Sequence, residues 1–170
     1  LFEIEVALQR AFARRASKRA HRGGSHLVRY VEQLVDVMNA WSALLHFVER
    51  DPAIVDLTFV EGGHRLDRDL FETLMSLDTR REVEARLRWE LRGSDLARLF
   101  RSETAELETE LLRVQIHQQQ KAMRTDPNGA APILDFALEL RAEVLNLTGV
   151  IWGVALRAPA ALIQANMVVA

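Results

Sequence analysis

Six polar residues stand at spacings that invite chemistry: Glu32, Asp36 and Asn39, and then Glu139, Glu143 and Asn146. Each trio is spaced four and then three, so on a helix it forms a single polar stripe. Carboxylates presented this way from two helices could hold a metal. A di-iron bundle, however, needs Glu-x-x-His on facing helices, and neither segment carries one. Glu61 and His64 have that spacing, but Gly62-Gly63 lies between them, in a turn that cannot present both from one helical face. The stripes therefore read as helix packing, a solvated face or a partner contact before they read as a metal site.

Other candidate chemistry is thinner. The five histidines (His21, His26, His46, His64 and His117) do not recruit carboxylates at ligand spacing, and are expected at the surface or its boundary. Serine nucleophile motifs are absent. Gly23-Gly24 and Gly62-Gly63 lack the following Lys-Ser/Thr or the third glycine of a phosphate-cradling loop. No catalytic residue, cofactor, nucleotide or small-molecule site emerges, so the chain is not expected to be an enzyme.

Arg14, Arg15, Lys18, Arg19 and Arg22 form a basic run. It is the best candidate for a nucleic-acid or anionic-lipid contact, but a solvated helix face is the first reading, with an electrostatic contact with an acidic protein partner as the alternative. No aromatic residue interleaves it, so base stacking on nucleic acid is unsupported. Glu103, Glu106, Glu108 and Glu110 crowd the start of a later helix, where complementing the helix dipole accounts for them.

The whole chain sets wider bounds. Its 170 residues suit one domain or two small lobes, and 49% apolar residues supply a core. A net charge of -2 gives no global field for nucleic acid or an anionic membrane. Cysteine is absent, which excludes disulfides and thiolate chemistry and fits a reducing compartment. No apolar run reaches the roughly 18 residues of a membrane span; Leu145 to Leu156 comes nearest and is broken by Asn146, Thr148 and Gly153. The chain opens on Leu1, and residues are expected upstream of it.

Helices must position these residues. Ala, Leu, Arg and Glu dominate and β-branched alternation is missing, so an all-α fold is expected. A first helix runs from Phe2 to about Arg19 and stops at Gly23-Gly24. Ser25 is read as the N-cap of a long helix to about Glu49, which Asp51-Pro52 ends. A loop with Glu61-Gly62-Gly63 precedes a short helix over about Asp69 to Leu77. Thr79 and Glu82 make a capping box for the next helix, which Gly93 closes. After a short connecting helix near Ser94 to Phe100 come helices over about Glu103 to Met123 and Pro132 to Ala155, then a terminal one at Pro159. Steps of four and three predict that Leu34, Met38, Trp41, Val144, Leu147 and Ile151 are buried. The last long helix, apolar on a second side as well, is expected to be the more buried, and all three tryptophans are read as core.

The two halves also resemble each other. YVEQLVDVMNAWSALLHF (Tyr30 to Phe47) aligns with ALELRAEVLNLTGVIWGV (Ala137 to Val154), pairing Glu32 with Glu139, Asp36 with Glu143 and Asn39 with Asn146. Upstream, IEVALQR from Ile4 pairs with LETELLR from Leu107. Two matches in one order predict a duplicated helical hairpin, with lobes at about 1–95 and 96–170, and the long period excludes a short-repeat solenoid.

A repeated acidic-x-x-Asn pattern in a long helix, preceded by an amphipathic helix, resembles the C-subunit family of the V/A-type ATPases (ATP synthases), related to the d-subunit of the eukaryotic vacuolar ATPase. Phe59-Val60-Glu61-Gly62-Gly63 is similar to the family's Phe-Ile-Pro-Gly-Gly loop, with Glu61 in place of Pro. Pro132-Ile133-Leu134-Asp135-Phe136 resembles its Pro-hydrophobic-Leu-x-Tyr helix start, and Met167 to Ala170 its C-terminal end. The basic residue common after the family's Asn is missing in both copies.

The resemblance implies three lobes in a pseudo-threefold funnel, of which two are visible here. It implies a non-catalytic, cytoplasmic, peripheral component of the central stalk. Such a component couples the rotor shaft to the membrane ring, without membrane insertion and without nucleic acid, during proton or sodium transport. A free-standing helical adaptor or regulator that binds an acidic partner is the other reading.

Overall fold

The computed structural model describes residues 2–47, 52–94, 96–97, 99, 107–125 and 127–168. These residues fold as helices and turns, with no strand among them. The chain divides into two compact units, Leu1–Gly93 and Ser94–Ala170.

The first unit holds α1 (Phe2–Ala20), α2 (Ser25–His46), α3 (Pro52–Thr58), α4 (Arg68–Met75) and α5 (Arg80–Glu90). Helix α2 is its axle, packing on α1, α3, α4 and α5. Its buried face carries Val31, Val35, Ala40, Ala43 and Leu44, and the same face carries Asp36 and Asn39. Opposite it lie Phe71 and Leu74 of α4 and Val83 and Leu87 of α5, all fully buried. Each large side chain so enclosed contributes roughly 1.5–3 kcal/mol. Phe71 also meets Phe59 with ring centroids 5.4 Å apart and planes tilted by 50°.

Helix starts follow local chemistry. Asp67 caps α4 by accepting the Leu70 N–H at 2.9 Å. Thr79 and Glu82 form the expected capping box of α5. At α2 the expectation fails by one residue: Gly24 is the cap, with the Val28 N–H on its carbonyl at 3.2 Å, and Ser25 is already helical. Pro52 opens a helix that periodicity alone did not announce, because its missing N–H is harmless in a first turn.

The second unit holds α6 (Leu107–Met123), α7 (Ala131–Ala155) and α8 (Ala160–Ala165). Helices α6 and α7 form a hairpin, and α8 folds back on α7. Leu112, Ile116 and Gln119 of α6 and Ala131, Asp135, Leu138 and Ala142 of α7 are buried. Of the short connecting helix expected near Ser94 to Phe100, Leu96, Ala97 and Leu99 are described and lie in 3₁₀ conformation, while the acidic start at Glu103 and Glu106 lies outside the described residues.

The predicted core stripes are corrected. Val144, Leu147 and Ile151 are exposed, Leu34 and Met38 are half-buried, and Trp41, Trp89 and Trp152 all reach solvent. Helix α7 is therefore not the more buried of the two long helices. It is apolar on nearly every side, so a four-three spacing can be drawn along several of its faces, and α6 selects the one bearing Asp135 and Leu138. On α2 the buried face is rotated toward the polar stripe, for a reason that lies in the loop after α3.

Candidate functional site

Asn39 sits at the middle of α2 and is fully buried. Its Nδ2 donates to the Val60 carbonyl at 2.8 Å, and its Oδ1 accepts the Val60 N–H at 2.9 Å. An amide side chain carries one donor and one acceptor edge, so it can replace a neighbouring strand for a single residue. Val60 lies just beyond α3, where no helix would satisfy its backbone.

One residue earlier, Arg10 of α1 takes the Phe59 carbonyl, from Nε at 3.1 Å and from Nη2 at 2.9 Å. The same Nη2 also donates to the Asp56 carbonyl at the end of α3. Beyond the clasp the chain turns over Asp36. The Arg65 N–H reaches both carboxylate oxygens at 3.1 Å, and the Leu66 N–H reaches Oδ1 at 3.0 Å.

Both loop glycines are required here. Gly62 has φ +107, a conformation that strains any other residue. A Cβ on Gly63 would stand 2.3 Å from Asp36 Oδ1. The segment from Phe59 to Leu66 thus wraps the polar stripe of α2, which turns inward because it satisfies that segment's backbone. Burial pushes the Asp36 carboxyl above its ordinary range, while the Leu66, Arg65 and His64 N–H groups pull it back down.

The second unit repeats the arrangement. Asn146 Nδ2 donates to the Val168 carbonyl at 2.9 Å and Oδ1 accepts the Val168 N–H at 2.7 Å. Arg113 Nη2 donates to the Met167 carbonyl at 2.6 Å. In each unit an arginine from the preceding helix holds the loop carbonyl before the valine, and an asparagine from the long helix holds both backbone groups of that valine.

The remaining candidates divide. Asp36 and Asn39 act together. Glu32 and Glu139 are half-buried, Glu143 is exposed, and none of the three joins either clasp. Asp135 is buried beside Asn146's stripe, and its Oδ1 lacks a hydrogen-bond partner among the described residues. Desolvation, with the Glu139 charge adding to it, raises its pKa. Arg14, Arg15, Lys18, Arg19 and Arg22 are exposed on α1 and the turn after it; Arg15 and Arg19 flank a shallow cleft beside Leu8 and Phe12, and Arg14 faces the first clasp.

Sequence reasoning passes over Arg10 and Arg113, although they close the two matched heptapeptides IEVALQR and LETELLR. Their shared position at the end of a repeat is the available signal.

A cleft of about 470 Å³ opens beside the first clasp, lined by Arg10, Arg14, Asp56, Phe59, Glu61 and Arg68 among others. It is no ready anion pocket. Arg10 is engaged by carbonyls, and Arg68 pairs with Asp56 and with Glu72. The N–H donors around Asp36 occupy the lone pairs a cation would need, and no group of three or more metal-ligating side chains occurs among the described residues. What the site can do is hold backbone in place.

Among the described residues, no helix is long and apolar enough to cross a membrane. Comparison with curated proteins and with solved structures gave no significant match. A family model does match: the ATP synthase (C/AC39) subunit model covers residues 1–166, nearly the whole chain. By that match, and with an all-helical fold, the chain belongs to the ATP synthase (C/AC39) subunit family of the V/A-type ATPases.

Proposed function

We propose that this protein is the non-catalytic socket of the central stalk, joining the rotor shaft to the membrane ring and passing torque between them during proton or sodium transport. In this reading it works on the cytoplasmic side as a peripheral component, and its two lobes belong to a pseudo-threefold funnel. ATP hydrolysis belongs to other subunits.

The repeated arginine–asparagine clasp carries the reading. A part that transmits torque must not yield at its connections, and connections are where helical proteins are softest. Here the segments at Phe59–Val60 and Met167–Val168 are tied to the middle of a long helix by buried or half-buried hydrogen bonds. Such bonds are stronger away from water and fix a single geometry. Stiffness, rather than a reactive group, is what the best-built site provides.

Co-purification tests it: the tagged full-length protein should retain both shaft and ring subunits. Retention of neither would overturn the socket role while leaving family membership intact. The adaptor reading draws on one observation, the outward-facing basic run on α1. It predicts capture of an acidic protein in the absence of the other ATPase components.

A further inference from the structure

Asp135 departs from the repeat at a packed position. The alignment that pairs Asn39 with Asn146 places Asp135 at Val28 of α2, and Leu138 and Ala142 at Val31 and Val35. The last two pairs are apolar and buried in both units. At the first, a half-buried valine gives way to an aspartate that is only 7% exposed. Its Oδ1 is buried and accepts no hydrogen bond among the described residues. Asp36, the buried carboxylate of the first unit, receives the Arg65 and Leu66 N–H groups instead. A buried charge without donors is costly, so a group placed like Asp135 either keeps a proton or lets water in.

Among the described residues, no cation packed on α7 neutralises it. Helix α6 buries Leu112, Ile116 and Gln119, while His117, Lys121 and Arg124 are exposed. Glu110 and Arg113 pair with each other nearer the start of α6. Helix α8 carries no titratable side chain. Asp126, between α6 and α7 in the chain, lies outside the described residues. The charge that acts on Asp135 among the described residues is that of Glu139, a turn further along α7 and half-buried. It has the same sign, so it too favours the protonated form.

We infer that Asp135 is a proton-operated latch of the second unit: α6 and α7 close fully on the neutral carboxyl group, and the hairpin loosens when that group ionises. Loosening lets water solvate the charge. Opening is therefore favoured as pH rises, the sign that follows when the closed state holds a proton more tightly than the open one. The latch is independent of the socket role.

Carboxyl NMR on the full-length protein reads the proton directly. The midpoint of Asp135 should lie above 3.8, and should fall in Glu139→Gln while staying above 3.8. Amide hydrogen exchange reads the hairpin, as the ratio of rates in the parent to those in Asp135→Asn, so that the intrinsic pH dependence cancels. Across α6 and α7 that ratio should climb between about pH 3.5 and 7, by about tenfold for each pH unit by which the midpoint exceeds 3.8. Across α2 it should stay flat. Asp135→Val, which installs the first unit's residue, gives the same comparison if the amide variant folds poorly. A midpoint at or below 3.8 would overturn the latch, because a donor or cation, from this chain or another molecule, would then hold the ionised form. A raised midpoint with a flat ratio would overturn it as well, since the charge would be accommodated without opening.

Discussion

Arg10 and Arg113 do the same work in the two units. Each donates to the loop carbonyl, of Phe59 or Met167, immediately before the valine that its unit's asparagine grips at both backbone groups, and Arg10 reaches the Asp56 carbonyl as well. The separation from asparagine to valine is 21 residues in one unit and 22 in the other. A duplication preserved at this level shows in matching side-chain roles, even where the surrounding sequences have diverged.

Truncating the clasp should be costly. Asn39→Ala leaves the Val60 N–H and carbonyl buried without partners, each worth about 1–3 kcal/mol, so a loss of about 2–4 kcal/mol is expected by urea denaturation. Asn146→Ala, at a half-buried site where water can substitute, should cost less than half as much. Equal losses at the two positions would contradict the difference in burial.

Gly63→Ala should destabilise the first unit by about 1–3 kcal/mol, as overpacking does, because its Cβ meets Asp36 Oδ1. The penalty should shrink in an Asp36→Ala background, giving a coupling of at least about 0.5 kcal/mol in a double-mutant cycle. Additive losses would place the strain elsewhere.

Asp36 sets a pH dependence of known sign. Its pKa is raised in the folded chain above the ordinary 3.8, chiefly by burial. The folded state therefore holds this proton more tightly than the unfolded state. The stabilisation is fully present below pH 3.8 and is lost as pH rises through the folded value. Urea midpoints measured from about pH 3.5 to 7 should fall less steeply in Asp36→Asn than in the parent. A steeper fall in the variant would mean that the backbone N–H groups outweigh burial.

Ile151→Ala should change stability by less than about 1 kcal/mol, as exposed substitutions do. Leu87→Ala, at a side chain with no exposure, should cost about 2–5 kcal/mol. A large loss at Ile151 in the isolated chain would show that its face is already covered.

Reversing Arg15, Lys18 and Arg19 to Glu should leave the thermal midpoint within a few degrees, since exposed charges add little stability. If the basic run meets an acidic partner, capture should slow, and more so at low salt than at high. Unchanged capture at low salt would make the run a solvated face.

Helix content, the capping box at Thr79 and the pairing of Asn39 with Asn146 were legible in the sequence because they rest on local spacing and residue type. A repeat also survives as aligned letters whatever its side chains touch. Which way each helix faces was not legible. On α2 the polar stripe lies inward, since Asp36 and Asn39 satisfy the backbone of a loop more than twenty residues away, and no periodicity encodes that partner. On α7 the apolar residues permit several buried faces, and only the packing of α6 and α8 selects one. Arg10 and Arg113 carried no visible role until the loop carbonyls were placed, because a hydrogen bond to backbone depends on where the chain returns and leaves no trace in the identity of the residue it reaches.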